Sequence, residues 1–447
     1  MTAEPTTDNE QKDPGFRRAV LLMTTTSFLV PLGGLVTAPI IARALGTDGR
    51  GEMAAALAPA ALMLNVATIG LPDALTYFLA KRPSITRRAL LWSSLATIVL
   101  GFAFLGVTWW ALPFLSAGDS RLGELILFAS ACTIPALVVG VFRGAATGRQ
   151  MWLTVAIERI VLTVLRVALF TAFWLFDILD VFAAVAISVA IPIVVGFVYL
   201  ALLRRPPDDE DQDLGDERVV KPLLGYGMNV WFGSVASMLL NRLAPLLMVP
   251  LSTTVDLGLY TVASTIADTP LLVALAVQNT LFGVNSRTSD AKLVTDTSRL
   301  TLLLGFIGSA LMAVTLPLWL APLFGDEFAD ALWPTIMLLA AAVICIPSLM
   351  AASGLSAWGR PALRSLGLLL SVVVNVIAFV LTVPTWGVYG ACWTSILTSA
   401  FMTAVMVGMA SRVLGVSAWS FFAIGRADFA RTWREVRLVL GRFRRRA

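Results

Sequence analysis

Histidine is absent from the 447 residues. That excludes His-ligated zinc, Ser-His nucleophilic catalysis and imidazole-based pH sensing. Cysteine is scarce as well. Cys132, Cys345 and Cys392 lie far apart inside apolar runs without CxxC spacing, which reads as three buried free thiols and not a disulfide or metal site. Charge is the third shortage, at 14% of residues, where a soluble domain carries about a quarter. So few charges cannot wet the surface of a soluble globule of this size. A GxxxxGK[ST] loop is missing, so this chain is not expected to hydrolyse ATP. No polar stretch is long enough to fold as a catalytic domain, which argues against an enzyme. Neither a selectivity-filter motif nor a charged ring suggests a channel.

What is present is apolar: 58% of residues are hydrophobic and the mean hydropathy is +0.83. Span-length apolar runs recur near residues 19–43, 53–80, 89–115, 123–145, 151–176 and 181–203. A second set follows near 223–250, 257–283, 299–324, 331–356, 362–384 and 388–411. The pattern predicts an all-α polytopic membrane protein of about 12 spans. It divides into an N-terminal tail (1–18), a first half (19–203), an acidic linker (204–221), a second half (222–411) and a basic tail (412–447). The apolar stretch after Arg17 and Arg18 exceeds a signal-peptide h-region and is expected to remain as the first span.

The net charge of +5 is distributed by loop rather than by patch, and no nucleic-acid motif accompanies it. With the N-terminus inside, inner loops carry Lys81, Arg82, Arg87, Arg88, Arg143, Arg149, Arg204, Arg205, Arg287, Lys292, Arg299, Arg360 and Arg364. Outer loops carry Asp119, Asp177, Asp180, Asp256, Asp326, Glu327 and Asp330, with only Arg43, Arg50 and Arg121 as basic residues. The positive-inside rule then predicts both termini in the cytoplasm and a multi-pass protein of the cytoplasmic membrane. Trp109, Trp110 and Trp319 fall near outer span ends, and Trp92 and Trp152 near inner ones, as interfacial belts require. The acidic run Asp208, Asp209, Glu210, Asp211, Asp213 reads as a solvated linker, since no strand pattern flanks it to make a nucleotide-sugar site. Beyond Arg426, basic residues alternate with Phe429, Trp433, Val436 and Leu440 at helical spacing, which suits the anionic inner leaflet.

The halves echo each other. Ala38-Pro39 followed by Gly51 matches Ala244-Pro245 followed by Gly258, and Arg143-Gly144 through Arg149 matches Ser353-Gly354 through Arg360. Both offsets slightly exceed 200 residues and span an even number of helices, which gives halves of like orientation, a transporter device.

Charges within spans are costly and mark cavities or partners. In the fifth span, Arg159 and Arg166 are seven residues apart and share a face with Thr163 between them. Two readings stay open: a cationic seat for a diphosphate, or Arg159 snorkelling or pairing with Glu158 or Asp73 as structural glue. Arg242, beside Asn241 in the seventh span, could receive an anion or snorkel outward. Asp73 follows Gly70-Leu71-Pro72, which should break the second helix and leave Asp73 at a helix start, as a cap or a carrier. Asp268 lies mid-span, just before Thr269-Pro270. With histidine missing, Asp268, Asp73 and Glu158 are the candidate proton or cation carriers. Asn65, Asn229, Asn241, Asn279 and Asn375 could line a sugar path or bond helix to helix.

The stretch from Pro39 through Arg43, Gly46 and Gly51 to Gly70-Leu71-Pro72-Asp73 resembles the N-terminal signature of bacterial polysaccharide (O-unit) flippases of the multidrug/oligosaccharidyl-lipid/polysaccharide exporter superfamily. Asn241-Arg242, Gly258 to Ala263, Leu323 to Phe328 and Gly387 to Ala391 are similar in order along the chain. The resemblance implies two six-helix lobes around a central, often cationic cavity, and alternating access. It implies a polyprenyl-diphosphate-linked oligosaccharide as cargo, moved from the inner to the outer leaflet. One departure is that Leu243-Ala244-Pro245 follows Asn241-Arg242 where relatives often place an acidic residue. No cofactor is expected, and energy would come from a proton or sodium gradient or the membrane potential. Expected partners are membrane lipids, a polysaccharide polymerase and glycosyltransferases, with no nucleic acid, and the protein itself is expected to be a monomer. The alternatives are a lipid II flippase, which commonly has two further C-terminal spans, and a multidrug/cation exporter, which would favour an acidic cavity. A non-transporting scaffold for envelope enzymes is the alternative from another class. A scaffold predicts normal polysaccharide export in an Arg159→Ala/Arg166→Ala strain with confirmed expression, whereas a transporter using these charges predicts its loss.

Overall fold

A bilayer core of about 30 Å supplies no water to backbone N–H and C=O groups, so a spanning chain must pair them internally. This sequence does so with helices. The computed structural model describes residues 14–81, 85–199 and 217–423, and these contain no strand. The helices are α1 (Pro14–Val66), α2 (Leu71–Lys81), α3 (Thr86–Leu115), α4 (Ser120–Gly148), α5 (Trp152–Leu175) and α6 (Val181–Gly196). They continue as α7 (Glu217–Leu251), α8 (Thr254–Thr288), α9 (Ala291–Phe324), α10 (Leu332–Ala357) and α11 (Pro361–Leu414). The expected N-terminal tail up to residue 13, most of the acidic linker, the basic residues from Arg426 onward and the side chain of Asn229 lie outside the described residues.

Eight stretches among the described residues are long and apolar enough to cross a membrane. Two of them, Leu29–Ala80 and Pro361–Leu414, run to 52 and 54 residues. At 1.5 Å per residue each would be about 80 Å long if straight, more than twice the hydrocarbon thickness. Each is instead broken by a glycine: Gly46 (φ 68°) in α1 and Gly387 (φ 54°) in α11. Such φ values favour a residue without a Cβ. In α11 the limbs on either side of Gly387 fold back on each other. Asn375 Nδ2 donates to Thr398 Oγ1 at 2.9 Å, and the Thr382 and Thr394 hydroxyls lie 2.9 Å apart. α5 falls outside the eight because its 24 residues include Glu158, Arg159 and Arg166. α7 supplies a shorter apolar stretch, Val235–Leu251.

A second break separates α1 from α2, as Gly70-Leu71-Pro72 leads one to expect. Ile69 and Gly70 both have positive φ, and the Val66 carbonyl that the break frees accepts from Trp231 Nε1 of α7 at 3.1 Å. Asp119, Asp180 and Asp290 have a structural use that loop charge alone does not reveal. Each caps a helix: Asp119 Oδ1 accepts from the Arg121 amide, Asp180 from Ala183 and Asp290 from Lys292, at 2.8, 2.7 and 2.9 Å.

The chain divides into two compact units, Met1–Gly258 and Leu259–Ala447. The boundary falls after α7, which packs on α1 and α2. In the first unit α2 lies on α4 so closely that a Cβ on Gly144 would stand 2.4 Å from the Pro72 carbonyl oxygen. Leu71, Leu75, Leu79, Val141 and Ala145 fill the buried core beside this crossing. α1 and α5 cross where Gly33 meets Thr163. In the second unit the chain after α11 turns at Gly415 (φ 69°) and folds Ala418–Phe421 onto α9. Ser298 Oγ donates to the Phe421 carbonyl at 3.1 Å, Arg299 donates to the Ala423 carbonyl at 3.2 Å, and Phe421 is fully buried. Residues up to 423 of the expected basic tail therefore belong to the folded unit.

Because Gly144 faces a backbone oxygen, no rotamer change can relieve an added methyl. Gly144→Ala is expected to cost at least the ~1–3 kcal/mol of ordinary overpacking. A lowered thermal unfolding midpoint of the purified protein in detergent would register it.

Candidate functional site

α5 carries charged groups within the apolar helices of the first unit, and it holds them in two different environments. Near its start, Glu158 is 1% exposed and forms an ion pair with Arg143 of α4, Oε1 to guanidinium 2.6 Å. The Tyr199 hydroxyl, at the end of the turn after α6, donates to the other carboxylate oxygen at 3.4 Å. The sequence explains the pairing. α4 ends at Gly148 and α5 begins at Trp152, so Arg143 and Glu158 stand nearly equidistant from a tight helical hairpin turn and face each other. A carboxylate this buried persists only with such a partner.

Farther along α5 the balance reverses. Arg166 lies within electrostatic reach of Arg50 on α1 and of Arg242 on α7. Arg166 and Arg242 are each nine residues before the last residue of their helices, Leu175 and Leu251, about 13 Å of helix. Arg50 approaches from the Gly46 bend, with its guanidinium 3.9 Å from Met53 Sδ. The Arg166 guanidinium also lies 6.0 Å from the Phe170 ring centroid. The Nε atoms of Arg50 and Arg166 are buried without a hydrogen-bond partner. Three positive charges are thus gathered among apolar helices, two of them with a donor unspent. Guanidiniums fork onto phosphate oxygens, so such a group is chemically able to bind a multivalent anion.

The remaining sequence candidates are placed as follows. Arg159 is half-buried on α5, seven residues from Arg166 and next to Glu158. Thr163 is 5% exposed between α5 and α1, and its hydroxyl donates to the Arg159 carbonyl at 2.8 Å, so it packs a helix crossing. Asn241 is exposed and donates to the Ser237 carbonyl at 2.8 Å, and Arg242 beside it is exposed as well. Asp73 is exposed in the first turn of α2. Asp268 is exposed on α8, two residues before Pro270 and within electrostatic reach of Tyr260 and Cys345. Among the described residues no group of His, Cys, Asp or Glu could hold a metal ion.

The sequence matches the polysaccharide biosynthesis protein family over residues 16–289. The chain belongs to this family. No curated protein matches it. Its fold is similar to that of solved transporters. One is a multidrug resistance MATE family transporter of the MOP superfamily in an inward-facing conformation, 15% identical, with 89% of this chain and 99% of that one covered and a TM-score of 0.69. Another is the lipid II flippase MurJ in an inward closed conformation, 10% identical, with 90% and 89% covered and a TM-score of 0.68. A third is the MATE multidrug transporter DinF-BH, 14% identical, with 93% and 100% covered and a TM-score of 0.58. This member of the polysaccharide biosynthesis family therefore has the fold of solved membrane transporters.

Two site residues of this family member are not singled out by sequence alone. Arg50 falls among outer-loop charges in a loop count, and only the Gly46 bend turns it toward Arg166. Tyr199 lies at the end of an unbroken apolar run. Arg143 could have been found, because its distance from the 148–152 turn mirrors that of Glu158.

The ion pair predicts an asymmetry. Arg143→Ala strands a carboxylate that is 1% exposed and should cost ~3–5 kcal/mol. Glu158→Gln leaves an arginine whose side chain is 40% exposed and should be milder. Thermal unfolding of the two purified variants compares them, and equal losses would contradict the asymmetry.

Proposed function

We propose that the protein is a flippase that moves a polyprenyl-diphosphate-linked oligosaccharide from the inner to the outer leaflet of the cytoplasmic membrane by alternating access. The observation that carries this reading is the cluster of Arg50, Arg166 and Arg242, with the buried Nε donors of the first two left open. A diphosphate supplies the charge and the oxygens that such donors lack. Membership in the polysaccharide biosynthesis family supports a glycan on the far side of that diphosphate. A gathering of guanidiniums disfavours a cationic drug, which would need acidic groups in the same place.

In this reading there are twelve spans. The limbs of α1 and α11 on either side of Gly46 and Gly387 count separately, with α2 completing the second crossing, and α5 and α7 cross despite their charges. Loop charges orient both termini to the cytoplasm, and residues 19–203 and 222–411 form the two lobes. Arg159 extends the cationic track along α5. Coupling to a proton or sodium gradient falls to Asp268 or Asp73, whose carboxylates are exposed within apolar helices. Glu158, held by Arg143 and Tyr199, is the third candidate carrier. The protein works as a monomer among membrane lipids, with polymerase and glycosyltransferases as partners in the same pathway.

A charge-assisted hydrogen bond contributes roughly 1.5–3 kcal/mol, or about ten- to a hundredfold in affinity. Arg50→Gln, Arg166→Gln and Arg242→Gln are each expected to weaken polyprenyl diphosphate binding by that factor and to reduce surface polysaccharide. Binding to purified protein in nanodiscs and surface glycan on expressing cells are the measurements. Wild-type affinity in all three variants would sink the reading.

A further inference from the structure

One end of the second unit carries a group of basic side chains that the arginine cluster of the first unit does not include. The two limbs of α11 run antiparallel, and a Cβ on Gly367 would stand 2.8 Å from Met406 Cε. Arg360 lies seven residues before this contact and Arg412 six after it, so both stand about 10 Å of helix beyond it, at the same end of the pair. Arg364 lies between Arg360 and Gly367. Lys292, in the first turn of α9, joins them, because a Cβ on Gly354 would touch both Val294 of α9 and Leu414 of α11, at 3.3 and 3.4 Å. All four basic residues are exposed, and none pairs with a carboxylate among the described residues. The acids nearby are already in use: Asp290 caps α9, and Asp296 pairs with Arg299. No acid lies in the first turn of α11 and no side chain caps it, so the helix dipole adds to the positive charge. We propose that this patch binds the headgroup of an anionic phospholipid, with Trp419 beside it as an interfacial anchor.

The surroundings favour a lipid over a soluble anion. Trp419 is 72% exposed, yet the segment that carries it is fixed by the buried Phe421 ring and by the bonds from Ser298 and Arg299. Trp358, Leu363, Leu414 and Phe422 pack on the same buried cluster as Phe421. Arg360 lies between the first two of these in sequence and Arg412 just before the third, so both flank the anchored segment. An indole held at the surface beside cations suits the boundary between headgroups and hydrocarbon. Within two turns of Arg364, α11 exposes Leu366, Leu369 and Leu370. Charge thus gives way to apolar surface over the depth at which a headgroup gives way to acyl chains. A soluble polyanion would leave Trp419 and these leucines uncovered.

With the orientation read from the loop charges, this end meets the inner leaflet, whose anionic lipids attract basic groups near the surface. A phosphate held between Arg360 and Arg412 ties the start of α11 to its end. Lipid bound there therefore stabilises the second unit, as any ligand stabilises the folded state that binds it. The site is independent of the flippase reading, and it stands whatever the cargo.

The test titrates the full chain, purified and stripped of lipid in detergent, with phosphatidylglycerol or with phosphatidylcholine, and counts bound lipid by native mass spectrometry. Phosphatidylglycerol should be preferred. Arg360→Gln/Arg412→Gln should reduce that preference by about fivefold per arginine, hence roughly thirtyfold for the pair. Arg87→Gln/Arg88→Gln, which removes the same charge from the first unit, should leave it nearly unchanged. Arg360→Lys/Arg412→Lys keeps the charge and should keep most of the preference, which separates lost binding from lost folding. Phosphatidylglycerol should also raise the thermal unfolding midpoint of the wild-type protein and not that of the glutamine pair. Equal binding of the two lipids by wild-type protein overturns the site. An equal loss in both glutamine pairs also overturns it, because diffuse charge then suffices. Displacement of phosphatidylglycerol by inorganic phosphate at equal concentration overturns the assignment to a lipid.

Discussion

Every backbone amide that enters hydrocarbon must find its partner within the protein, and this structure is organised around that demand. It explains why the described residues are helical and why the helices are interrupted in so few places. The interruptions that exist are repaired. The carbonyl freed at Val66 is met by the Trp231 indole, and Thr68 turns its hydroxyl onto the Asn65 carbonyl at 3.1 Å. The same interruptions carry the groups with chemical potential. Arg50 follows the bend at Gly46, and Asp73 opens α2 just after the break. Breaking a helix in a membrane is costly, so a break that also presents a charge is where function concentrates.

Electrostatics then divides α5 into two regimes within a few turns. Arg143 and Glu158 neutralise each other with Tyr199 in attendance, and such a pair stabilises the fold mainly by avoiding the penalty of an isolated charge. Arg166 meets other cations instead. Like charges held together by packing store repulsion. The contrast separates a neutralised pair from a group of like charges, each with one member on α5.

Fold and cargo are set by different features. The same architecture is shared with transporters described by multidrug resistance and by lipid II, at 15% and 10% identity. What distinguishes one from another must lie in the charges that line the helices, because helix packing is indifferent to cargo. In this chain those charges include Arg50, Arg166 and Arg242 as well as Asp73, Glu158 and Asp268, and the family to which it belongs is one of polysaccharide biosynthesis.

Most helix boundaries were legible in sequence, since a run of apolar residues in lipid has one low-energy conformation. The runs near 89–115, 123–145 and 331–356 correspond to α3, α4 and α10 within a few residues. The break at Gly70-Leu71-Pro72 and the repeat relation of Gly51 to Gly258 were also visible, because glycine and proline act locally on φ and ψ. Partnership was not visible. Glu158 could have paired with Arg159 beside it but reaches Arg143 on another helix, and Thr163 lies on the stripe of Arg159 and Arg166 yet packs against Gly33. Arg50 looked like a loop charge until the bend aimed it inward. Sequence alone determined that this is an apolar, all-helical chain with a doubled pattern, because hydropathy and backbone preference are local. Only the tertiary structure decided which arginines are neutralised and which are gathered, because electrostatic energy depends on distances between helices that no spacing along the chain encodes.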